Sequence, residues 1–141
     1  RDFDSHDFID RLEMQKTIYL LHSKGISVGN YNFLWYKHGP YSQTLQNDIL
    51  NLGSECIEIR FSEEALRVIS MLKNAFFEKK YNYTQADWIE CLGSIYYIKE
   101  NQLSATTSDE KIIQVLEAKK PHLNNREDNM LALNTVKELF S

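Results

Sequence analysis

The sequence predicts a mainly α, α+β fold of about six helices with a small two-stranded β element, on three observations. Apolar residues recur at helical spacing through six stretches, each opened by Ser, Thr, Asp or Asn. Only 31–37 and 56–61 alternate as strands do. Finally, 141 residues suffice for one core and not for two, so 1–141 is expected to be a single domain.

Helix one is expected from about residue 5 to about 23, with Asp4, Ser5 and Asp7 at its start and Gly25 behind Lys24 as its stop. Phe8, Leu12 and Tyr19 share an arc, while Ile18, Leu20 and Leu21 carry the apolar surface around its second half. A helix patterned this way is buried on several sides and central. Gln15 lies within the apolar arc, where a side-chain amide left without partners costs about 1–3 kcal/mol. It either ties helix one to a neighbouring backbone or contacts a ligand.

Residues 31–37 place Tyr31, Phe33 and Trp35 on one side of a strand and Leu34 and Tyr36 on the other, with both faces expected to be covered. His38-Gly39-Pro40 then forces a corner, after which the chain restarts as helix two, capped by Ser42 and carrying Tyr41, Leu45, Ile49 and Leu52 as its stripe. Gly53 ends it. Cys56–Phe61 alternates strictly, with Ile57, Ile59 and Phe61 inward, and reads as the clearest strand. Ser62 caps helix three, with Ala65, Ile69, Leu72 and Phe76 on its buried side and Lys79-Lys80 at its end.

Thr84 caps helix four, which aligns Trp88, Leu92, Ile95 and Lys99 and contains Gly93, read as a packing glycine where another helix crosses closely. Thr107 to Glu110 reads as a capping box opening helix five, which Pro121 terminates. Asn124 or Asn125 caps helix six, with Ala132, Leu133, Val136, Leu139 and Phe140 on its inner side.

The short apolar runs exclude a transmembrane span, and the N-terminus lacks the basic-then-apolar pattern of a secretory signal, so a cytoplasmic location is expected. The opening at Arg1 rather than Met leads us to expect further residues upstream. Cys56 and Cys91 are too few and too far apart for a disulfide framework or a zinc pair. His6, His22, His38 and His122 are scattered without ligand spacing, and the five glycines form no phosphate-cradling loop. No catalytic, cofactor-binding or metal-binding set is therefore expected, and the chain is read as a non-enzyme.

Helix, strand, helix and strand segments of these lengths also occur in winged-helix arrangements, so the fold is expected to be partly winged-helix-like. A nucleic-acid-binding regulator is the alternative function on that ground. Against it, Ser42–Asn51 contains neither Lys nor Arg and the chain carries a net charge of −4, whereas phosphate contacts supply most nucleic-acid affinity. Nucleic acid is accordingly an unlikely partner.

Asp10-Arg11-Leu12-Glu13-Met14-Gln15-Lys16 leading to Tyr19-Leu20, followed by Phe33-Leu34-Trp35-Tyr36-Lys37-His38-Gly39-Pro40-Tyr41-Ser42, resembles the YwgA-like proteins. It is also similar to the wider Panacea domain group, which contains the SocA and GepA antitoxins. The shared pattern is a Leu-Gln-Lys helix followed by an aromatic Gly-Pro corner. Met14 stands where Leu is usual, a volume-conserving difference, and His38 stands where Tyr or Arg is often found.

The resemblance covers about the first third of the chain and implies a compact helical domain of bacteria and their phages. In the antitoxin branch it implies neutralisation of a toxin by binding it. It carries over Gln15, Lys16, Trp35, Gly39, Pro40 and Tyr41 as signature positions; with Tyr36 and His38 these are the candidate partner-binding residues. The expected partner is a protein, a toxin or defence-system component, with no membrane involved; homo-oligomerisation is compatible with the sequence.

Overall fold

The structure, a computed structural model, describes residues 6–23, 25, 31–51, 63–77, 80–101 and 106–140. Among them are six helices and a two-stranded antiparallel sheet: α1 (Phe8–Ser23), β1 (Leu34–Tyr36), β2 (Gly39–Tyr41), α2 (Gln43–Asn51), α3 (Glu63–Phe77), α4 (Gln85–Asn101), α5 (Asp109–Lys119) and α6 (Arg126–Leu139). The fold is mainly α with a small β element, as the patterning predicts. The expected strand at 56–61, the Gly53 stop, the Ser62 cap and the expected close of helix three at Lys79 lie outside the described residues.

Helix α4 is the hub, packing against α1, β2, α3, α5 and α6. Every residue from Trp88 to Tyr96 is buried, so the helix has no solvent stripe over this span. Helix α1, expected to be central, packs against α4, β2, α3 and α2 and buries Leu12, Gln15, Lys16 and Ile18–Leu21. Its end is closed by the Gly25 N–H on the His22 carbonyl at 3.0 Å.

Trp88 Nε1 donates to the Ala75 carbonyl at 2.7 Å and its ring stacks on Tyr81, with centroids 4.6 Å apart, which ties α3 to α4. Asp128, in the first turn of α6, accepts from the Asn82 and Tyr83 N–H groups at 2.7 and 2.8 Å, fixing the entry to α4 against α6. A buried carboxylate is tolerable there because those bonds replace its hydration.

The expected caps at Ser42 and Thr84 form, each hydroxyl accepting from the backbone N–H three residues on. Asn125, not Asn124, caps α6 through Asp128 N. Helix five starts one residue later than expected: Ser108 is its N-cap and accepts from Lys111 N, so Glu110 falls within the first turn.

The largest departure from expectation is at the corner. Lys37 and His38 make the turn, and Gly39–Tyr41 pairs back on Leu34–Tyr36 in the register Leu34↔Tyr41, Trp35↔Pro40, Tyr36↔Gly39. The Pro40 carbonyl accepts from Lys16 Nζ at 2.7 Å. Helix α2 then starts at Gln43, directly behind the Ser42 cap, so Tyr41 belongs to the strand and not to the helix stripe. Gly39 sits at φ +89°, which suits this turn and which L side chains resist.

Candidate functional site

The site is built on this hairpin and on the polar side chains beneath it. Gln15 projects from α1 into the core and meets Ser42 twice, donating from Nε2 to its carbonyl at 2.9 Å and accepting from its N–H at 3.0 Å. One amide thus satisfies two buried backbone groups, and the alternative of tying to a neighbouring backbone is the one realised. Lys16, 1% exposed, crosses α4 at Gly93, where a Cβ would stand 2.8 Å from Lys16 Cδ. The packing glycine therefore makes room for the lysine stem.

Burial pushes the Lys16 ammonium down to about 7; the nearby Glu90 carboxylate opposes this and Lys120 adds to it. Glu90, on α4 and 1% exposed, is the charged centre. His38 Nδ1 donates to its Oε1 at 2.6 Å, and His122 Nε2 donates to its Oε2.

Lys120, the C-cap of α5, donates to the Tyr36 carbonyl at 2.7 Å and to the Lys37 carbonyl, and its Nζ lies 4.8 Å from the Trp35 ring centroid. Its pKa is lowered by burial, an effect that Glu90 partly offsets. The hairpin is thus held from below by side chains of α1, α4 and α5. Ser94 Oγ, beneath Gly39, is the one buried side-chain polar atom among the described residues without a hydrogen-bond partner.

The two faces of the hairpin differ. Tyr31, Phe33 and Trp35 turn to the core: Phe33 meets Tyr19 with centroids 5.2 Å apart and Trp35 meets Tyr97 at 5.5 Å. The other face was expected to be covered and is not, since Leu34 is 69% and Tyr36 52% exposed. Tyr36 packs sideways on Tyr41, at 5.0 Å, and nearby Phe8, 45% exposed, sets its ring edgewise against His38. Between α1, the hairpin and α2 lies a cleft of about 250 Å³, whose lining includes Arg11, Lys37, His38, Tyr36 and Tyr41.

The eight candidate residues thus gather in one place but divide in kind. Gln15, Lys16, Gly39 and Pro40 are buried, Trp35 and Tyr41 half-buried, and Tyr36 and His38 exposed. Glu90, His122 and Lys120 belong to the same cluster and were missed. Their signal was faint: Glu90 stands between Ile89 and Cys91 in a helix apolar on every side, the kind of position at which a carboxylate needs partners. The histidines, read as scattered, include two that the fold brings onto one carboxylate.

Among the described residues no helix is long and apolar enough to cross a membrane. No group of three or more His, Cys, Asp or Glu among them is placed to hold a metal ion. Compared with known protein families, with curated proteins and with solved structures, the chain matches none.

Proposed function

We propose that this chain is a non-enzymatic protein-binding module, antitoxin-like or a regulator of phage defence or counter-defence, that acts by contact with a partner protein. The observation that supports this reading is the open apolar face of the hairpin. Leu34 and Tyr36 stand exposed side by side on a backbone anchored at Pro40, Ser42, Tyr36 and Lys37 by buried side chains. Tyrosine is among the residues that most often anchor protein interfaces, and an adjacent apolar side chain helps to exclude water around it. The resemblance of the Gln15-Lys16 and Gly39-Pro40-Tyr41 segments to the antitoxin group points the same way. The outward residues of α2, Gln43, Thr44, Asn47 and Asp48, bring no cation, so the nucleic-acid alternative has less support.

The test is affinity capture from the native host with the wild-type chain and with a Leu34→Ser/Tyr36→Ser variant. The expected result is one stoichiometric protein held by the wild type and lost by the variant, at an unchanged urea midpoint. Recovery of nucleic acid alone, or of a protein that the variant retains, overturns the proposal.

A further inference from the structure

The hairpin cleft differs in charge from the chain that contains it. The protein as a whole carries −4, yet Arg11, Lys16, Lys37 and His38 line the cleft and no carboxylate does among the described residues. Glu90 lies behind His38 rather than in the wall, 1% exposed, with both oxygens engaged by imidazoles. Lys16 is engaged with the Pro40 carbonyl and burial pushes its ammonium down to about 7, so it is not counted toward the charge of the cleft. Lys37 is exposed, and its carbonyl, not its ammonium, is bonded to Lys120. His38 is held by Glu90 through Nδ1, which leaves its Nε2 edge for whatever enters. The other wall is aromatic, made by Tyr36 and Tyr41, and runs continuously from the exposed face of Leu34 and Tyr36.

We infer that this cleft receives an acidic segment of the partner protein, its carboxylate beside Lys37 and His38 and an apolar neighbour against Tyr36 and Tyr41. This rests on the protein-binding reading and adds the chemistry of the partner. Size and charge select the occupant. About 250 Å³ is below the usual range of small-molecule sites, roughly 300–1,000 Å³, and suits a side chain or two delivered by a peptide. A polynucleotide needs a track of cations to match its phosphates, and α2, the next wall along, supplies none. Complementary charge steers the encounter, and the apolar face supplies the remaining contact.

The experiment is fluorescence anisotropy with a labelled short peptide alternating glutamate and phenylalanine, and with its twin bearing lysine for glutamate. Wild type, Lys37→Glu and Lys73→Glu are compared; Lys73 is exposed on α3 and lines a different groove. The wild type is expected to bind the acidic peptide about tenfold or more tighter than the basic twin, and less tightly as salt rises. Lys37→Glu should remove about tenfold of that affinity, while Lys73→Glu stays within about twofold. Equal binding of the two peptides, no binding of either, equal effects of the two substitutions, or displacement by a lower concentration of an oligothymidylate overturns the inference. Lys37→Glu is also carried through the native capture. A partner that it retains, and that Leu34→Ser/Tyr36→Ser loses, sinks the acidic segment and leaves the protein-binding reading standing.

Discussion

Replacing Lys16 with Met should remove a specific pH dependence from the stability of this protein. In the folded chain the ammonium is lowered from 10.5 to about 7, with desolvation as the leading cause. In the unfolded chain it titrates near 10.4. Between these values the unfolded state binds the extra proton, so the unfolding free energy rises with pH, by at most a tenfold change in equilibrium constant per unit. Below about pH 7 both states are protonated and the burial cost is felt in full.

From pH 7.5 to 9.5 the wild type should therefore gain between about 2 and 3 kcal/mol relative to Lys16→Met. The comparison must be between the two chains at each pH, because other groups also titrate. Cys91, raised by burial, opposes the trend once the unfolded thiol ionises, and Tyr83, pushed up to about 12, does so above about pH 10. Lys120, lowered by burial, adds to the trend in both chains. Urea unfolding followed by the fluorescence of Trp35 and Trp88 at several pH values measures the difference. A gap between the two chains that does not change with pH would refute the reasoning, because it would mean that Lys16 keeps its proton in the fold.

Two further substitutions test the ground beneath the hairpin. Gly39→Val should destabilise by more than about 2 kcal/mol, since it adds a β-branched side chain at φ +89° and drives its Cβ into Ser94 Oγ; an unchanged urea midpoint would show that the turn is misread. Ser94→Ala has the opposite expected sign, a gain of about 1 kcal/mol, because the hydroxyl is buried with no bond to lose. A loss of that size would reveal a partner for Ser94.

How much of this was legible in the sequence depends on whether the signal is local. Caps at Ser42, Thr84 and Asn125 are decided by a side chain and a backbone N–H three residues apart, and they were found. Gln15 was legible because an amide on an apolar arc must bond something, although nothing local identified Ser42, 27 residues away, as the partner. Gly93 was legible as a close approach, whereas a lysine stem rather than a helix backbone fills the space. The alternation of 31–36 gave the two faces of the hairpin but not which is open, because that depends on where Tyr19 and Tyr97 come to lie. The Glu90 cluster draws on α1, the hairpin, α4 and the α5–α6 turn, and no periodicity within one segment predicts a meeting of four.

The buried charges also bear on the docking role proposed for the hairpin. Two strands of three residues are marginal on their own in water. Buried ion pairs are no efficient source of stability, since apolar side chains of similar volume often hold a core as well or better. Apolar side chains could not, however, bond the carbonyls of Tyr36, Lys37, Pro40 and Ser42. Lys120, Lys16 and Gln15 do so, each from a different direction. The polar cluster thereby fixes the register and tilt of a strand pair that its own ladder leaves loose. On the proposed reading the consequence is energetic: with the backbone under Leu34 and Tyr36 already fixed, a partner that covers them loses little free energy to ordering the loop.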